Sequence, residues 1–254
     1  MSMQVYCLDG GRIEMDLSVF RPSMPRGSRV VIPVPMFLVL HPKGNVLIDT
    51  GCNPAVVGNP AAWGGLARAM VPQLGRENVA DMVLERVGLS PRDVDIVINT
   101  HLHMDHAGGN QFFPHAEILV QEREWAFARA PEQEGHGYFR ADWDHPLRYR
   151  ILSNVVHDVF GDMRIVVRRT AGHTPGHQIV ELLLSDRGKV ILTGDVVPLA
   201  ANLDGEVPRN NLDGNETMAA AQYLRNQAAQ GAFLIFGHDP EGWDQLPKPP
   251  ACLS

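Results

Sequence analysis

Short apolar runs, rich in β-branched residues and bounded by glycine, proline or polar residues, recur along the chain and predict strands. They occupy residues 30–40, 46–48, 94–98, 118–120, 165–167, 179–184, 190–192 and 233–236. Apolar residues at helical spacing predict three helices, at residues 77–87, 123–130 and 216–229. The mixture of strands and helices predicts an α/β fold.

Two segments repeat one pattern, in which a short apolar strand runs into small residues and an aspartate. They are residues 44–51, which contain Asp49, and residues 188–195, which end at Asp195. Either an internal duplication or the general frequency of strand-turn patterns in α/β proteins accounts for this likeness. The proline-rich segment at residues 246–250 predicts a terminal arm on the surface.

Composition and charge narrow the class of protein. The 254 residues are 44% hydrophobic, which predicts a single domain over residues 1–254 with a sizeable core. Lys and Arg number 22 against 29 Asp and Glu, so the net charge is −7, and no basic block is present. This charge argues against nucleic acid or an anionic membrane as partner. We therefore expect a small-molecule substrate and a monomer or homodimer.

Cysteine usage and the chain start predict a cytoplasmic protein. Three scattered cysteines without CxxC spacing argue against a disulfide framework or a thiolate zinc site. The first residues lack the basic and apolar stretches of a signal peptide. The longest apolar run, residues 30–40, is shorter than the roughly 20 residues that a membrane-spanning helix needs.

The strongest chemical signal is a run of histidines and an aspartate directly after the apolar strand at residues 94–98. His101 and His103 are two residues apart and project to the same face of an extended segment, so they can bind one metal ion. Asp105 and His106 are adjacent, and they can face a second ion if the chain turns before Gly108 and Gly109. Imidazole and carboxylate ligands suit zinc, with iron, cobalt or manganese as alternatives.

Two metal sites need more ligands than this motif supplies. Candidates lie at or just beyond the ends of three later strands, where α/β folds gather functional loops. These candidates are His173 and His177 in GHTPGH, Asp195 in GD, and His238 in the late GH. Each alone is typical of a turn, but together with the first motif they indicate ligation.

These residues carry a resemblance. The series HxHxDH, GHTPGH, GD and GH is similar in order and spacing to the metallo-β-lactamase superfamily, whose fold is a four-layer αββα sandwich. Within it, the chain resembles the quorum-quenching N-acyl-homoserine lactonase group at residues 6–11, 33–38, 49–51 and 103–110. The resemblance implies a di-zinc metallohydrolase that opens a lactone ring with a metal-bridging hydroxide, most similar to enzymes acting on N-acyl-homoserine lactones.

The resemblance also implies roles for single residues. His101, His103 and His173 would hold one zinc ion, Asp105, His106 and His238 would hold the other, and Asp195 would bridge them as a catalytic ligand. His177 would support the ligands without binding metal. Asp49 either hydrogen-bonds the metal-binding loop or serves as an ordinary turn former. Asp105 either carries a proton to the leaving oxygen or acts as a ligand alone.

One departure from the lactonase pattern concerns the substrate. Lactonases typically carry a tyrosine shortly after the bridging aspartate, but Asp195 is followed by Val196-Val197-Pro198. Either the metals polarise the carbonyl alone, or another loop supplies a group, or the substrate is a different lactone. Alternatives are a thiolester hydrolase of the glyoxalase II type, another carboxylic ester hydrolase, or a mono-iron sulfur dioxygenase.

Other features bear on the surroundings of the site. Residues 53–74 and 131–150 are long enough to form lids, although their aromatic residues could also pack them onto the domain. Residues 202–211 are placed to line the mouth of the site. We expect the remaining histidines to be solvated: His41, His115, His145 and His157.

Overall fold

The computed structural model describes residues 3–254, and these form twelve strands and five α-helices joined by turns and 3-10 segments. The strands are β1 (Gln4–Asp16), β2 (Arg29–His41), β3 (Gly44–Ile48), β4 (Val71–Gln73), β5 (Ile96–Ile98), β6 (Glu117–Gln121), β7 (Arg148–Leu152), β8 (Val156–Asp158), β9 (Ile165–Arg169), β10 (Gln178–Leu184), β11 (Gly188–Leu192) and β12 (Phe233–Ile235). The helices are α1 (Ala80–Glu85), α2 (Glu122–Ala128), α3 (Arg140–Trp143), α4 (Gly214–Ala229) and α5 (Pro240–Gln245).

The strands form two mixed sheets. The first has seven strands in the order β4-β1-β2-β3-β5-β6-β7, antiparallel up to β3 and parallel from β3 onwards. The second has five strands in the order β12-β11-β10-β9-β8, and only β11 and β12 are parallel. The strand β3 ends directly before Asp49, and β11 ends shortly before Asp195. Each of the two pairs antiparallel with the strand that precedes it and parallel with a later strand.

Side chains of the strands alternate between the two faces of each sheet, and their packing on both faces gives four layers. Val46 and Ile48 of β3 join Val190 and Leu192 of β11 in the core between the sheets. The intervening residue of β3 packs toward α1 on one outer face, and that of β11 packs toward α4 on the other. Because neighbouring residues of a strand point to opposite faces, these strands are buried on both sides. The predicted αββα sandwich is confirmed.

Several local predictions need correction. The first helix is shorter than residues 77–87, because a 3-10 turn precedes α1, and Gly88 (φ 74°) ends the segment as expected. The strand β1 was not predicted, because polar residues and two central glycines interrupt its apolar pattern. The segment at 246–250 lies on the surface, as predicted, but it is anchored at both sides: Leu246 is buried, and Leu253 just beyond the segment is buried and pairs with Val5.

The prediction of solvated histidines is wrong for His41. This side chain is buried, stacks on Phe160 with ring centroids 4.5 Å apart, and lies 3.1 Å from an Asp162 carboxylate oxygen. It ends β2, in which residues 32–39 are buried, and its ring is covered by Phe160. His115 is exposed, as expected. Within residues 3–254, no helix is both long and apolar enough to cross a membrane.

Candidate metal centre

Loops at the carboxyl ends of β5, β9, β11 and β12 bring the predicted ligands together. His101 Nε2 lies 2.9 Å from His103 Nδ1, and His173 Nε2 lies 3.0 Å from the same atom. These three nitrogens form the first group. Because burial lowers the pKa of all three histidines, their rings are neutral at neutral pH.

A second group contains Asp105, His106 and His238. Asp105 Oδ2 lies 3.7 Å from His106 Nε2 and 3.6 Å from His238 Nε2. Asp195 stands between the two groups: its Oδ1 is 3.3 Å from His106 Nε2 and 3.1 Å from His238 Nε2, and its Oδ2 is 3.5 Å from His173 Nε2. The structure therefore gathers all seven predicted residues around two neighbouring points.

The other nitrogen of four of these imidazoles is held by a hydrogen-bond acceptor, which turns Nε2 inward. The Nδ1 acceptors are Thr100 Oγ1 for His101 (3.1 Å), Asp49 Oδ2 for His106 (2.8 Å), Asn211 Oδ1 for His173 (3.0 Å) and the Pro33 carbonyl oxygen for His238 (2.8 Å). An Nδ1–H donated outward leaves a lone pair on Nε2, which is the arrangement of metal-binding histidines.

The electrostatics of the second group favour a bound cation. Burial opposes charge on His106, but the carboxylates of Asp195, Asp105 and Asp49 raise the pKa of His106 well above its ordinary value. Burial would raise the pKa of Asp195, yet His238 and His106 hold it well below its usual range. The site is thus negative enough to retain protons on its histidines, and a divalent ion can replace those protons.

Buried polar atoms support the same interpretation. His106 Nε2 and Asp195 Oδ1 are buried, and neither makes a hydrogen bond within residues 3–254. An unpaired buried polar atom is costly, and a metal ion would satisfy both. Five imidazoles and two carboxylates also form a donor set that suits zinc and similar ions. The residues present therefore fit two divalent ions.

Asp49 and His177 hydrogen-bond to residues of the two groups and so orient them. Asp49 Oδ1 accepts from the Thr100 backbone N–H (2.7 Å), and its Oδ2 accepts from His106 Nδ1, so the prediction that Asp49 hydrogen-bonds the metal-binding loop is confirmed. Asp49 has a φ of 56°, a conformation that aspartate tolerates better than most residues. His177 Nε2 accepts from the Asp195 backbone N–H (3.0 Å), which helps to fix the position of Asp195.

The predicted turn after His103 is present. The His106 and Ala107 N–H groups both donate to the His103 carbonyl oxygen, at 3.0 and 2.9 Å. This turn takes Asp105 and His106 away from the direction of His101 and His103. Gly108 then passes so close to the loop after β3 that a Cβ would lie 2.1 Å from the Asn53 nitrogen, so only glycine fits.

Glu124, on α2, was not predicted from the sequence. Its side chain is fully buried and accepts hydrogen bonds from four donors on three segments: Leu102 N (3.0 Å), Tyr138 Oη (2.8 Å), Thr174 Oγ1 (2.5 Å) and Gly176 N (3.3 Å). Burial raises the pKa of this carboxyl. Leu102 lies between His101 and His103, and Thr174 follows His173, so Glu124 connects the loops that carry the three histidines of the first group.

A cavity of about 460 Å³ opens over both groups. His103, Asp105, His173, Asp195 and His238 line its floor, and the walls are mostly apolar. The wall residues come from β1 and β2, from the predicted loops at residues 53–74 and 131–150, and from residues 210–212. Both long loops therefore border the site, while their residues Trp63 and Trp143 are buried and pack them onto the domain.

No tyrosine of the described residues replaces the one missing after Asp195. Tyr138 is the tyrosine that lines the cavity, and its ring lies 4.5 Å from that of His103. Its hydroxyl is committed to Glu124, and burial raises the pKa of Tyr138 well above its ordinary value. Pro198 lies in the short stretch after Asp195 where a tyrosine would be expected, and its carbonyl oxygen accepts from the His238 backbone N–H (2.8 Å).

Comparison with known proteins identifies relatives of the whole chain. The model of the metallo-beta-lactamase superfamily matches residues 29–238. N-acyl homoserine lactonase AttM of Azorhizobium caulinodans is 32% identical over 256 residues, which cover 98% of this chain and 97% of the relative. N-acyl homoserine lactonase AiiA of Bacillus thuringiensis subsp. kurstaki is 30% identical and covers 94% of each chain.

A solved structure agrees over its full length. An N-acyl homoserine lactone hydrolase with the product N-hexanoyl-L-homoserine bound at its catalytic metal centre superposes with a TM-score of 0.91. The sequence identity is 28%, and the match covers 100% of both chains.

Proposed function

The chain belongs to the metallo-beta-lactamase superfamily, and from that premise we propose that it is a two-metal hydrolase that opens the ring of N-acyl-homoserine lactones. One observation carries the proposal: two groups of imidazole nitrogens and carboxylate oxygens, joined by Asp195, lie at the floor of an apolar cavity. The names of the relatives support the choice of substrate. Their match over nearly the whole chain supports carrying that substrate over to this protein.

We propose His101, His103 and His173 as ligands of one ion, with Asp105, His106 and His238 as ligands of the other. Asp195 is within reach of both groups through its two oxygens. Zinc fits this donor set, with iron, cobalt or manganese as alternatives. When bound, two such ions supply a water of near-neutral pKa and polarise the ester carbonyl.

The residues of the chain bind the substrate, orient it and move a proton. The apolar wall, with Phe20, Ile32 and Met70, accommodates an acyl chain and excludes water from the floor. Ring opening requires water to add to the carbonyl carbon, the bond from that carbon to the ring oxygen to break, and a proton to reach that oxygen. Asp105 lines the cavity next to the second group, and we propose that it carries this proton.

A substrate panel tests the proposal. The purified, metal-loaded protein is offered N-acyl-homoserine lactones of several chain lengths, aromatic lactones, aryl esters, thiolesters and a β-lactam, and acid release is followed. We expect the N-acyl-homoserine lactones to give the highest kcat/KM. Turnover of thiolesters alone would favour the glyoxalase II-like alternative and refute the lactonase proposal.

The mono-iron sulfur dioxygenase needs a separate test, because it consumes oxygen. Oxygen uptake is measured with a persulfide, and metal content is measured on the same sample. We expect no uptake and about two ions per chain. Uptake with one iron ion per chain would instead identify the oxidoreductase.

A further inference from the structure

A cavity that receives an N-acyl-homoserine lactone must recognise its acyl amide, which simple lactones lack. Most polar groups on the cavity wall are already engaged. Asp16 accepts from the Ser18 and Gly27 N–H groups, Arg29 donates to Glu14, and Tyr138 donates to Glu124. These side chains are held by protein partners and are poorly placed to serve a ligand as well.

Asn210 is different. Asn210 lines the same cavity as His173, and its Oδ1 is buried without a hydrogen-bond partner within residues 3–254. No side-chain hydrogen bond of Asn210 occurs in the described part of the chain, although an amide can both donate and accept. Leaving such a group unpaired destabilises the free protein, so a ligand with a matching amide gains from pairing with it.

The backbone on both sides holds Asn210 in place. Arg209 N donates to the Val19 carbonyl (2.7 Å), and Leu212 N donates to the His173 carbonyl (3.3 Å). The Asn211 side chain accepts from His173 Nδ1 and donates to Thr217 Oγ1 (3.0 Å). The position of the Asn210 amide is therefore set by the same contacts that orient a proposed metal ligand.

From these observations we propose that Asn210 is the specificity residue that hydrogen-bonds the acyl amide of the substrate. This inference rests on the proposed lactonase function. It accounts for selectivity between lactones, since a site with an unpaired amide discriminates against a substrate that cannot pair with it. Gln133 and His136 also line the cavity, on the wall formed by residues 131–137, but neither contains a buried unpaired atom.

The test compares two substrates of matched chain length: N-octanoyl-L-homoserine lactone and an α-alkyl γ-butyrolactone, which carries its chain on the same ring carbon but has no amide. We expect Asn210→Ala to lower kcat/KM for the first about tenfold, the loss of about one hydrogen bond, and to change the second less than twofold. Gln133→Ala and the exposed Asn215→Ala serve as matched controls, and both should leave the ratio of the two values unchanged.

The possible outcomes separate the inference from the proposed function. Equal losses on both lactones would leave the ratio of the two kcat/KM values unchanged. They would mean that Asn210 has a structural role, and they would refute the inference. A selective loss in Gln133→Ala instead of Asn210→Ala would also overturn it. A wild-type protein that opens neither lactone would refute the proposed function itself. To detect misfolding, the metal content and thermal midpoint of Asn210→Ala are compared with those of Asn215→Ala, and Asn210→Ser provides a second variant.

Discussion

The hydrogen bonds of Glu124 predict that its removal destabilises the protein and loosens the first group of proposed ligands. In Glu124→Ala, four donors lose their acceptor. The hydroxyls of Tyr138 and Thr174 can rotate, but the N–H groups of Leu102 and Gly176 cannot. Two unsatisfied N–H groups at about 1 kcal/mol each, and the lost packing of one methylene at about 0.8 kcal/mol, partly offset by relief of carboxylate burial, give a cost of about 2 kcal/mol.

Glu124→Gln distinguishes the acceptor role from simple packing. Glutamine fills the same space and keeps one acceptor oxygen, so at most two donors lose their partner. Because a hydroxyl can reverse its direction, we expect only about one unsatisfied N–H group and a cost of about 1 kcal/mol. The ranking predicted is wild type, then Gln, then Ala.

Urea unfolding of the metal-loaded proteins, followed by circular dichroism, measures these differences, and dialysis against a weak chelator measures metal retention. Glu122→Ala is the matched control, since Glu122 is an exposed residue of the same helix. We expect the control to stay within about 0.5 kcal/mol of wild type. A Glu124→Ala protein with wild-type stability and metal retention would refute the assigned role of this carboxylate.

Three further variants test neighbouring parts of the structure. Asp195→Asn should lower the metal content, measured by elemental analysis, and should lower lactone turnover by more than roughly 100-fold. The loss of a residue that only hydrogen-bonds a metal ligand already lowers metal affinity or activity roughly 10–100-fold. Full metal content with normal turnover would disprove the bridging role. Asp49→Asn keeps the shape but weakens the acceptor for His106, so a competing chelator should reveal a roughly 10–100-fold weaker metal site, and unchanged affinity would count against it. Burial raises the pKa of Asp142 from 3.8 to about 7. Between about pH 4 and pH 7 the folded protein therefore keeps a proton on Asp142 that the unfolded chain has lost, so wild-type stability falls over this range, by up to about 4 kcal/mol. Asp142→Asn keeps the bond from Asn53 Nδ2 and cannot titrate, so it should be the more stable protein in urea at pH 8, with the difference shrinking toward pH 5; a constant difference would contradict this.

The sequence predicts best what is local. His101, His103, Asp105 and His106 lie within six consecutive positions shortly after a strand, so their spacing alone indicates a metal site. The core strands are equally legible, because β3 and β11 are short apolar runs flanked by small residues. In contrast, β7 is rich in arginine and only one of its residues is buried, so its sequence carries little strand signal.

What the sequence does not predict depends on contacts between distant segments. Glu124 is one of several acidic residues near a helix start, and its donors lie 14 to 52 residues away along the chain. Asn211 and Pro33 orient His173 and His238 from segments that contain no predicted metal ligand. These roles arise only when the loops after four different strands meet at one edge of the two sheets.

The dependence of activity on metal equivalents tests the central claim most directly. The protein is stripped with a chelator, and zinc is added back in steps while the ring opening of N-hexanoyl-L-homoserine lactone is followed. With two ions per site, we expect ring opening to reach its maximum at two equivalents of zinc per chain. A maximum at one equivalent, or ring opening that persists in the stripped protein, would contradict it.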